Sequence, residues 1–180
     1  MGRKGENMTE ECWLPQLEYC NDLGNWAPYQ ELLYSIFKKD FIDSNPKYEN
    51  VRVSVKHYPI EYGKEEAFFH TTCKDYTGGR ERVPDLRRCE RIRWIRAFIE
   101  NKCDPSKCED CEGIKTWREP YKGKTRVHIL LEEEKYMVVL EHRPQNENHG
   151  EFYLLITAFY FDYDNALEKQ LKHYEQYRTT

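Results

Sequence analysis

Hydrophobic and polar residues recur along the chain with two different periods. One period predicts three helices, and the other predicts strands in the sequence between them. Apolar side chains three or four positions apart are typical of a helix with one buried face. This spacing occurs in residues 28–44, 84–100 and 164–177. Pro28 and the Pro84-Asp85 pair suit the first turn of a helix. We therefore expect three amphipathic helices, the last of which closes the chain.

A second period, of two residues, predicts strands in the intervening sequence. The segment VRVSV at 51–55 alternates, and EYGKEEAFFH at 61–70 is interpreted as a turn and then a strand that ends at His70. Two apolar segments, 124–132 and 135–143, predict a hairpin that turns at Glu132–Glu134. The segment 151–162 is apolar on both faces, which is typical of a central strand.

These elements predict an α+β fold with N-terminal helices packed on an antiparallel sheet of about four strands and a C-terminal helix. The intervening residues 101–123 are interpreted as a loop. A chain of 180 residues fits one domain with its own core. We expect an N-terminal arm at residues 1–27 and a single α+β domain at residues 28–180.

Charge is distributed unevenly along the chain, and this distribution limits the classes of function that we expect. The formal net charge of −4 argues against a protein that coats nucleic acid through its total charge. Locally, seven arginines between Arg80 and Arg96 oppose only three acidic residues. The N-terminal ten residues lack the apolar core of a signal peptide, and no apolar run is long enough to span a bilayer. A cytoplasmic protein without membrane contact is expected.

His70 and the arginines together suggest phosphate chemistry. They are separated by a polar loop with Gly78 and Gly79. Metal-free RNA cleavage needs a base, an acid and positive charge near the phosphorane, and histidine and arginine supply these. The alternatives are a histidine at a strand end that bonds a loop, and a solvated arginine face. Many of these arginines lack a glutamate four residues later, which favours phosphate binding over simple helix stabilisation.

Several motifs carry a resemblance to a known nuclease group. They are FFHTT, RVPDLRRCERIRWIRAFIE, VVLEHR, YLLITAFYFD and KQLKHYEQY, within residues 55–177. The chain resembles phage-associated predicted RNases of the barnase, EndoU, colicin and RelE-like nuclease group. This resemblance implies that residues 28–180 form a nuclease-like domain with helices on an antiparallel sheet. It also implies a toxin-like, metal-independent endoribonuclease that cleaves RNA by transesterification and needs no cofactor.

The resemblance also implies a set of catalytic residues, which are His70, Arg82, Arg88, Arg91, Thr157 and Tyr160. The histidine would act as acid or base, and the arginines would hold the phosphate. The threonine would position the phosphate, and the tyrosine would donate a proton or stack a base. The arginines of the helix are expected to lie mostly off its buried stripe. The expected partners are RNA and, in addition, an immunity protein or another partner protein.

A cysteine cluster leaves a competing interpretation open. Cys103, Cys108 and Cys111 have the spacing C-x4-C-x2-C, which could hold a structural zinc if Cys73, Cys89, His70 or another side chain supplied the fourth ligand. Ordinary loop thiols are the alternative, since an odd total of seven cysteines suits reduced thiols. The competing function is a non-catalytic, zinc-stabilised module that binds RNA or protein. The remaining histidines His128, His142 and His149 are expected at the surface.

Overall fold

The computed structural model describes residues 13–75, 82–104, 106 and 112–179, and these form an α+β fold. The helices are α1 (Trp26–Phe41), α2 (Glu66–Thr72), α3 (Leu86–Glu90), α4 (Trp94–Ile99) and α5 (Asp164–Tyr177). The first strands are β1 (Lys47–Tyr48), β2 (Val51–Ser54), β3 (Ile60–Glu61), β4 (Lys64–Glu65), β5 (Cys73–Asp75) and β6 (Arg82–Pro84). The later strands are β7 (Lys115–Tyr121), β8 (Lys124–Leu131), β9 (Tyr136–Arg143) and β10 (Phe152–Tyr160). Within the described ranges, no helix is long and apolar enough to cross a membrane.

The main sheet has six strands in the order β1-β2-β10-β9-β8-β7. Neighbouring strands are antiparallel except β2 and β10, which run parallel, with Val53 opposite Tyr153. The prediction of about four antiparallel strands is therefore corrected to a mixed sheet of six. The added outer strand β7 lies in the segment interpreted as a loop, because its sequence KTWREPY is largely polar and contains a proline. The predicted hairpin of β8 and β9 is confirmed.

β10 lies inside the sheet as predicted, but it is not a regular strand. Its register against β9 shifts between Leu155 and Thr157, where Ile156 is the extra residue of a β-bulge. Leu155 and Ala158 consequently both belong to the larger core, although strict alternation would place them on opposite faces. Ile156 packs instead against the smaller core under α5. The bulge thus redirects the side chains in the second half of β10.

The sheet separates two hydrophobic cores of different size. The larger core lies between the sheet and the helices α1 to α4, with Phe37, Phe68 and Phe98 among its fully buried side chains. The smaller core lies under α5 and comprises Trp117, Leu130, Met137, Val139, Phe161 and Leu167. α5 spans the predicted residues 164–177, and it covers part of the second sheet face as expected.

Two local predictions around the arginine-rich segment are wrong. His70 lies in the helix α2 and not at the end of a strand, because the chain becomes helical immediately after β4. The predicted long helix over residues 84–100 is divided into α3 and α4. Asp85 caps α3 by accepting a hydrogen bond from the amide of Arg87 at 3.0 Å, and Arg91 already bends out of the helix. The Gly78-Gly79 loop lies outside the described residues.

The described part of the N-terminal arm, from residue 13 onward, packs on the domain. Leu14 is buried, and the Trp13 ring lies 5.3 Å from that of Phe98 between centroids. The indole N–H of Trp94 donates to the backbone carbonyl of Pro15 at 2.8 Å. These contacts fasten the arm to α4, so that at least this segment contributes to the larger core.

Candidate functional site

The candidate site begins with a histidine and a glutamate one turn apart on α2. Nε2 of His70 lies 3.0 Å from Oε1 of Glu66, a spacing of four residues that places both side chains on one helix face. Glu66 is buried, whereas the side chain of His70 is 38% exposed. The imidazole is therefore held against a buried carboxylate and is still open to a ligand from solvent.

Arg82 and Lys56 complete the charge balance around this carboxylate. Arg82, on β6, donates from Nη2 to Oε1 of Glu66 at 2.5 Å, and Nζ of Lys56 lies 3.9 Å from the same oxygen. The hydrogen bond from Arg82 is the main reason that the pKa of Glu66 lies below its ordinary value. The carboxylate is thus ionised at neutral pH, and three basic side chains surround it.

Arg82 also connects this cluster to an exposed aromatic hairpin. Its Nη1 lies 3.7 Å from Oε2 of Glu61, the last residue of β3. The neighbouring Tyr62 stands at the turn between β3 and β4 and is almost fully exposed, and Tyr58 is also exposed. Exposed aromatic rings are suitable surfaces for stacking unpaired bases. The cluster therefore has a polar centre with aromatic side chains beside it.

Arg88 and Thr157 approach His70 through its backbone and not through its ring. Nη1 of Arg88 donates to the His70 carbonyl at 3.1 Å and to the Cys73 carbonyl at 2.8 Å. The Thr157 hydroxyl donates to the His70 carbonyl at 3.2 Å. Carbonyls in the last turn of a helix lack an intrahelical partner, so these two residues supply the missing donors. Through these bonds, both residues fix the position of α2.

Arg91 and Tyr160 pack against each other, apart from the contacts of His70. The Arg91 guanidinium lies 4.9 Å from the centroid of the Tyr160 ring and 5.0 Å from that of Trp94. Arg87 lies 4.5 Å from the same tyrosine ring. Arg91 is buried, so the expectation that the helix arginines lie off the buried stripe is wrong for this residue. Its cation is used in packing against aromatic faces.

The structure thus divides the six predicted residues into three groups. The His70 ring and Arg82 meet at Glu66, Arg88 and Thr157 meet at the His70 carbonyl, and Arg91 stacks on Tyr160. Glu66 is the residue that the sequence interpretation missed. The sequence feature that could have indicated Glu66 is its spacing of four residues from His70. This spacing brings two side chains together only in a helix, whereas the sequence pattern predicts a strand here.

A second histidine cluster lies under α5, on the other side of the sheet. His128 is 7% exposed, so its expected place at the surface is wrong. Burial lowers its pKa to about 4, and its ring stacks on Trp117 at 4.8 Å. Nε2 lies 3.5 Å from Oε1 of Glu119, whose other oxygen lies 3.0 Å from Nδ1 of His173. Here a carboxylate joins β7 to α5 beside a neutral histidine.

The predicted zinc ligands fall mostly outside the described residues. Cys108 and Cys111 lie outside them, while Cys103 is half-buried and packs against the larger core. Cys73 and Cys89 are buried, and burial raises the pKa of the Cys89 thiol. In the part of the chain that the structure describes, no three His, Cys, Asp or Glu side chains are grouped so that they could hold a metal ion.

Comparison of the chain with protein-family models, curated proteins and solved structures finds no match. The resemblance to the RNase group therefore stays a prediction from the sequence motifs.

Proposed function

We propose that the protein is an endoribonuclease of the phage-associated, toxin-like kind that its motifs resemble, and that it cleaves RNA at His70 without a metal ion. One observation carries the proposal. A half-exposed imidazole lies 3.0 Å from a buried carboxylate that an arginine also binds, which combines a proton-transfer group with fixed charge. RNA is the proposed substrate, because its 2′-hydroxyl is the nucleophile in metal-free transesterification.

The reaction needs one proton removed and one returned. In the proposed step, His70 takes the proton of the 2′-hydroxyl while the 2′-oxygen attacks the adjacent phosphorus. The bond from phosphorus to the 5′-oxygen breaks, and that oxygen receives a proton from solvent. The products are one strand that ends in a 2′,3′-cyclic phosphate and one that begins with a 5′-hydroxyl.

Other residues of the cluster act around this step. Glu66 orients the imidazole, because its carboxylate is fixed by burial and by Arg82. Arg82 is half-buried at the surface of the cluster, where its positive charge favours the negative phosphorane. Arg88 and Thr157 are positioning residues, since both hold the His70 carbonyl.

The test is cleavage of end-labelled RNA by the full chain in the presence of EDTA. His70→Ala should lower the rate at saturating RNA by about 100-fold or more, the usual contribution of a general base. His173→Ala is the matched control, because it removes an imidazole from α5, on the other side of the sheet, and should leave the saturated rate unchanged. Cleavage by His70→Ala at the wild-type rate would refute the assignment.

A specific observation favours a second candidate, a non-catalytic module that binds RNA or protein. Arg88 and Arg91 use their guanidinium groups inside the fold, which leaves fewer cations for substrate, while Tyr58 and Tyr62 remain exposed. This candidate predicts that the wild-type chain binds unstructured RNA or a protein without cleaving RNA. Fluorescence anisotropy together with gel analysis of the same RNA separates the two candidates.

A further inference from the structure

A cluster of cations occupies the half of the second sheet face that α5 leaves open. Met137 and Val139 of β9 face the smaller core, so Glu141 and Arg143 continue the same face beyond it. Arg126 on β8 is directly opposite Glu141. The sheet therefore places charged residues side by side where the apolar contacts with α5 end.

Glu141 is the centre of this cluster. Its side chain is only 5% exposed, and three cations approach its carboxylate. Arg143 Nη2 lies 2.6 Å from Oε1, Lys124 Nζ lies 3.2 Å from Oε1, and Arg126 Nε lies 3.5 Å from Oε2. One negative charge faces three positive charges, which leaves an excess of two. The buried carboxylate holds the cations in place, while Lys124 and Arg143 keep substantial exposure.

A groove of about 380 Å³ opens beside the two exposed cations. Its lining includes Lys124, Thr125, His142, Arg143, Asn146 and His149. All of these side chains carry hydrogen-bonding groups. Nε2 of His149 lies 2.9 Å from the Asn146 amide nitrogen, and Nε2 of His142 lies 2.6 Å from Oε1 of Glu151. The groove thus combines two cations with several hydrogen-bonding side chains, and its volume is in the range of small-molecule sites.

We propose that this groove binds a phosphate monoester. A phosphate monoester carries a charge of about −1.5 to −2 at neutral pH, which suits the two cations of the lining, Lys124 and Arg143. Arginine supplies directed N–H donors for phosphate oxygens, and lysine supplies a point charge. The side chains of Arg143 and Lys124 are 32% and 45% exposed, so both cations are accessible to a ligand in the groove. The same chemistry occurs in a free nucleotide and in the 5′-phosphate of a nucleic-acid strand.

The test compares ligands that differ only in the phosphate monoester. Binding of the full chain is measured for a 2′-O-methyl RNA oligonucleotide with a 5′-phosphate, for its 5′-hydroxyl counterpart, for adenosine monophosphate and for adenosine. The 2′-O-methyl groups block transesterification, so the result is independent of whether the protein cleaves RNA. We expect the groove to favour the 5′-phosphate strand over the 5′-hydroxyl strand at least tenfold, or to bind adenosine monophosphate tenfold tighter than adenosine. Preference for the strand identifies strand ends as the source, and binding of the nucleotide alone identifies free nucleotides.

Matched variants assign the binding to the groove. Lys124→Ala/Arg143→Ala should abolish the preference for phosphate, whereas Lys169→Ala/Lys172→Ala, which removes two exposed lysines from α5, should retain it. If the first variant fails to fold because Glu141 keeps only Arg126 as a partner, Lys124→Ala/Arg143→Ala/Glu141→Gln removes the incompletely compensated charge and serves in its place. Equal affinity for phosphorylated and unphosphorylated ligands, or a preference that survives loss of Lys124 and Arg143, overturns the proposal.

Discussion

The Arg88 guanidinium donates a hydrogen bond from Nη1 to the backbone carbonyl oxygen of His70 at 3.1 Å. A second hydrogen bond from the same nitrogen reaches the carbonyl of Cys73. The arginine therefore links α3 to the end of α2, and it controls where the imidazole stands without touching it. In this arrangement, loss of Arg88 should lower stability together with the proposed RNA cleavage.

Replacement of Arg88 by alanine should destabilise the protein by about 2–3 kcal/mol, because two hydrogen bonds from a charged donor are lost and two carbonyls lose a donor. Urea unfolding at pH 7 measures the change. Arg52→Ala is the control, since Arg52 is exposed and should cost less than about 0.5 kcal/mol. Equal midpoints for the two variants would contradict this structural role of Arg88.

Replacement of Glu66 by glutamine should cost about 1–3 kcal/mol at neutral pH, because it removes a charged acceptor for Arg82. The folded-state pKa of Glu66 is lowered, so its contribution is complete above the unfolded pKa and is lost as pH falls through the folded pKa. The difference in unfolding free energy between wild type and Glu66→Gln should therefore shrink on acidification. Glu168→Gln, at an exposed position on α5, should show no such difference at any pH.

The buried His128 should make the protein sensitive to mild acid. Its folded-state pKa of about 4 lies below the ordinary value, so between about pH 6.5 and 4 the unfolded chain binds a proton that the folded chain excludes. The free energy of unfolding should decrease as the pH is lowered from about 6.5 to 4. Below pH 4, His128 should cause no further decrease. Three charged or titratable groups face the imidazole and influence its pKa. They are Glu119 on β7, His173 on α5 and Arg126, which lies on β8 with His128.

Thermal denaturation between pH 4 and 8 measures the effect. His128→Phe keeps an aromatic ring against Trp117. It should flatten the dependence of the melting temperature on pH between pH 6.5 and 4.5, where the titration of carboxylates contributes least. His57→Ala removes an exposed imidazole and should leave the curve as in the wild type. If the melting temperature of His128→Phe changed with pH as steeply as that of the wild type, His128 would be excluded as the cause of the pH dependence.

The N-terminal arm should contribute measurably to stability. Leu14→Ala should cost about 2–3 kcal/mol or more, because Leu14 is 4% exposed and its truncation leaves a cavity in the larger core. Leu23 offers a matched control on the same arm. It is 68% exposed, and Leu23→Ala should change the unfolding free energy by less than about 0.5 kcal/mol. Equal effects would mean that the arm does not pack as described.

The elements with a strong period were predictable from the sequence. The α5 helix over 164–177 and the hairpin of β8 and β9 match their predicted positions, because each has many apolar residues at one spacing. Short elements were not predictable. α2 has only seven residues, EAFFHTT, and a run of this length fits a strand as well as a helix. Tertiary packing against β10 decides between them.

The candidate site was only partly predictable for the same reason. Charge and residue type identified His70 and Arg82, but the contact between His70 and Glu66 depends on the local helix. Arg88 and Arg91 appeared as ligands for phosphate because sequence alone does not show backbone carbonyls or aromatic faces as partners. Their roles emerge only when α3 packs beside α2 and β10.

The parallel pairing of β2 with β10 has a consequence for synthesis of the chain. Val53 meets Tyr153, which follows it by 100 residues, and the sheet face that covers α1 and α2 includes strands as late as β10. Contacts this distant in sequence form slowly, since a long loop must close first. On the ribosome, α1 and α2 would expose their apolar faces until β10 had emerged. A chain arrested before residue 152 should accordingly depend on chaperones to stay soluble.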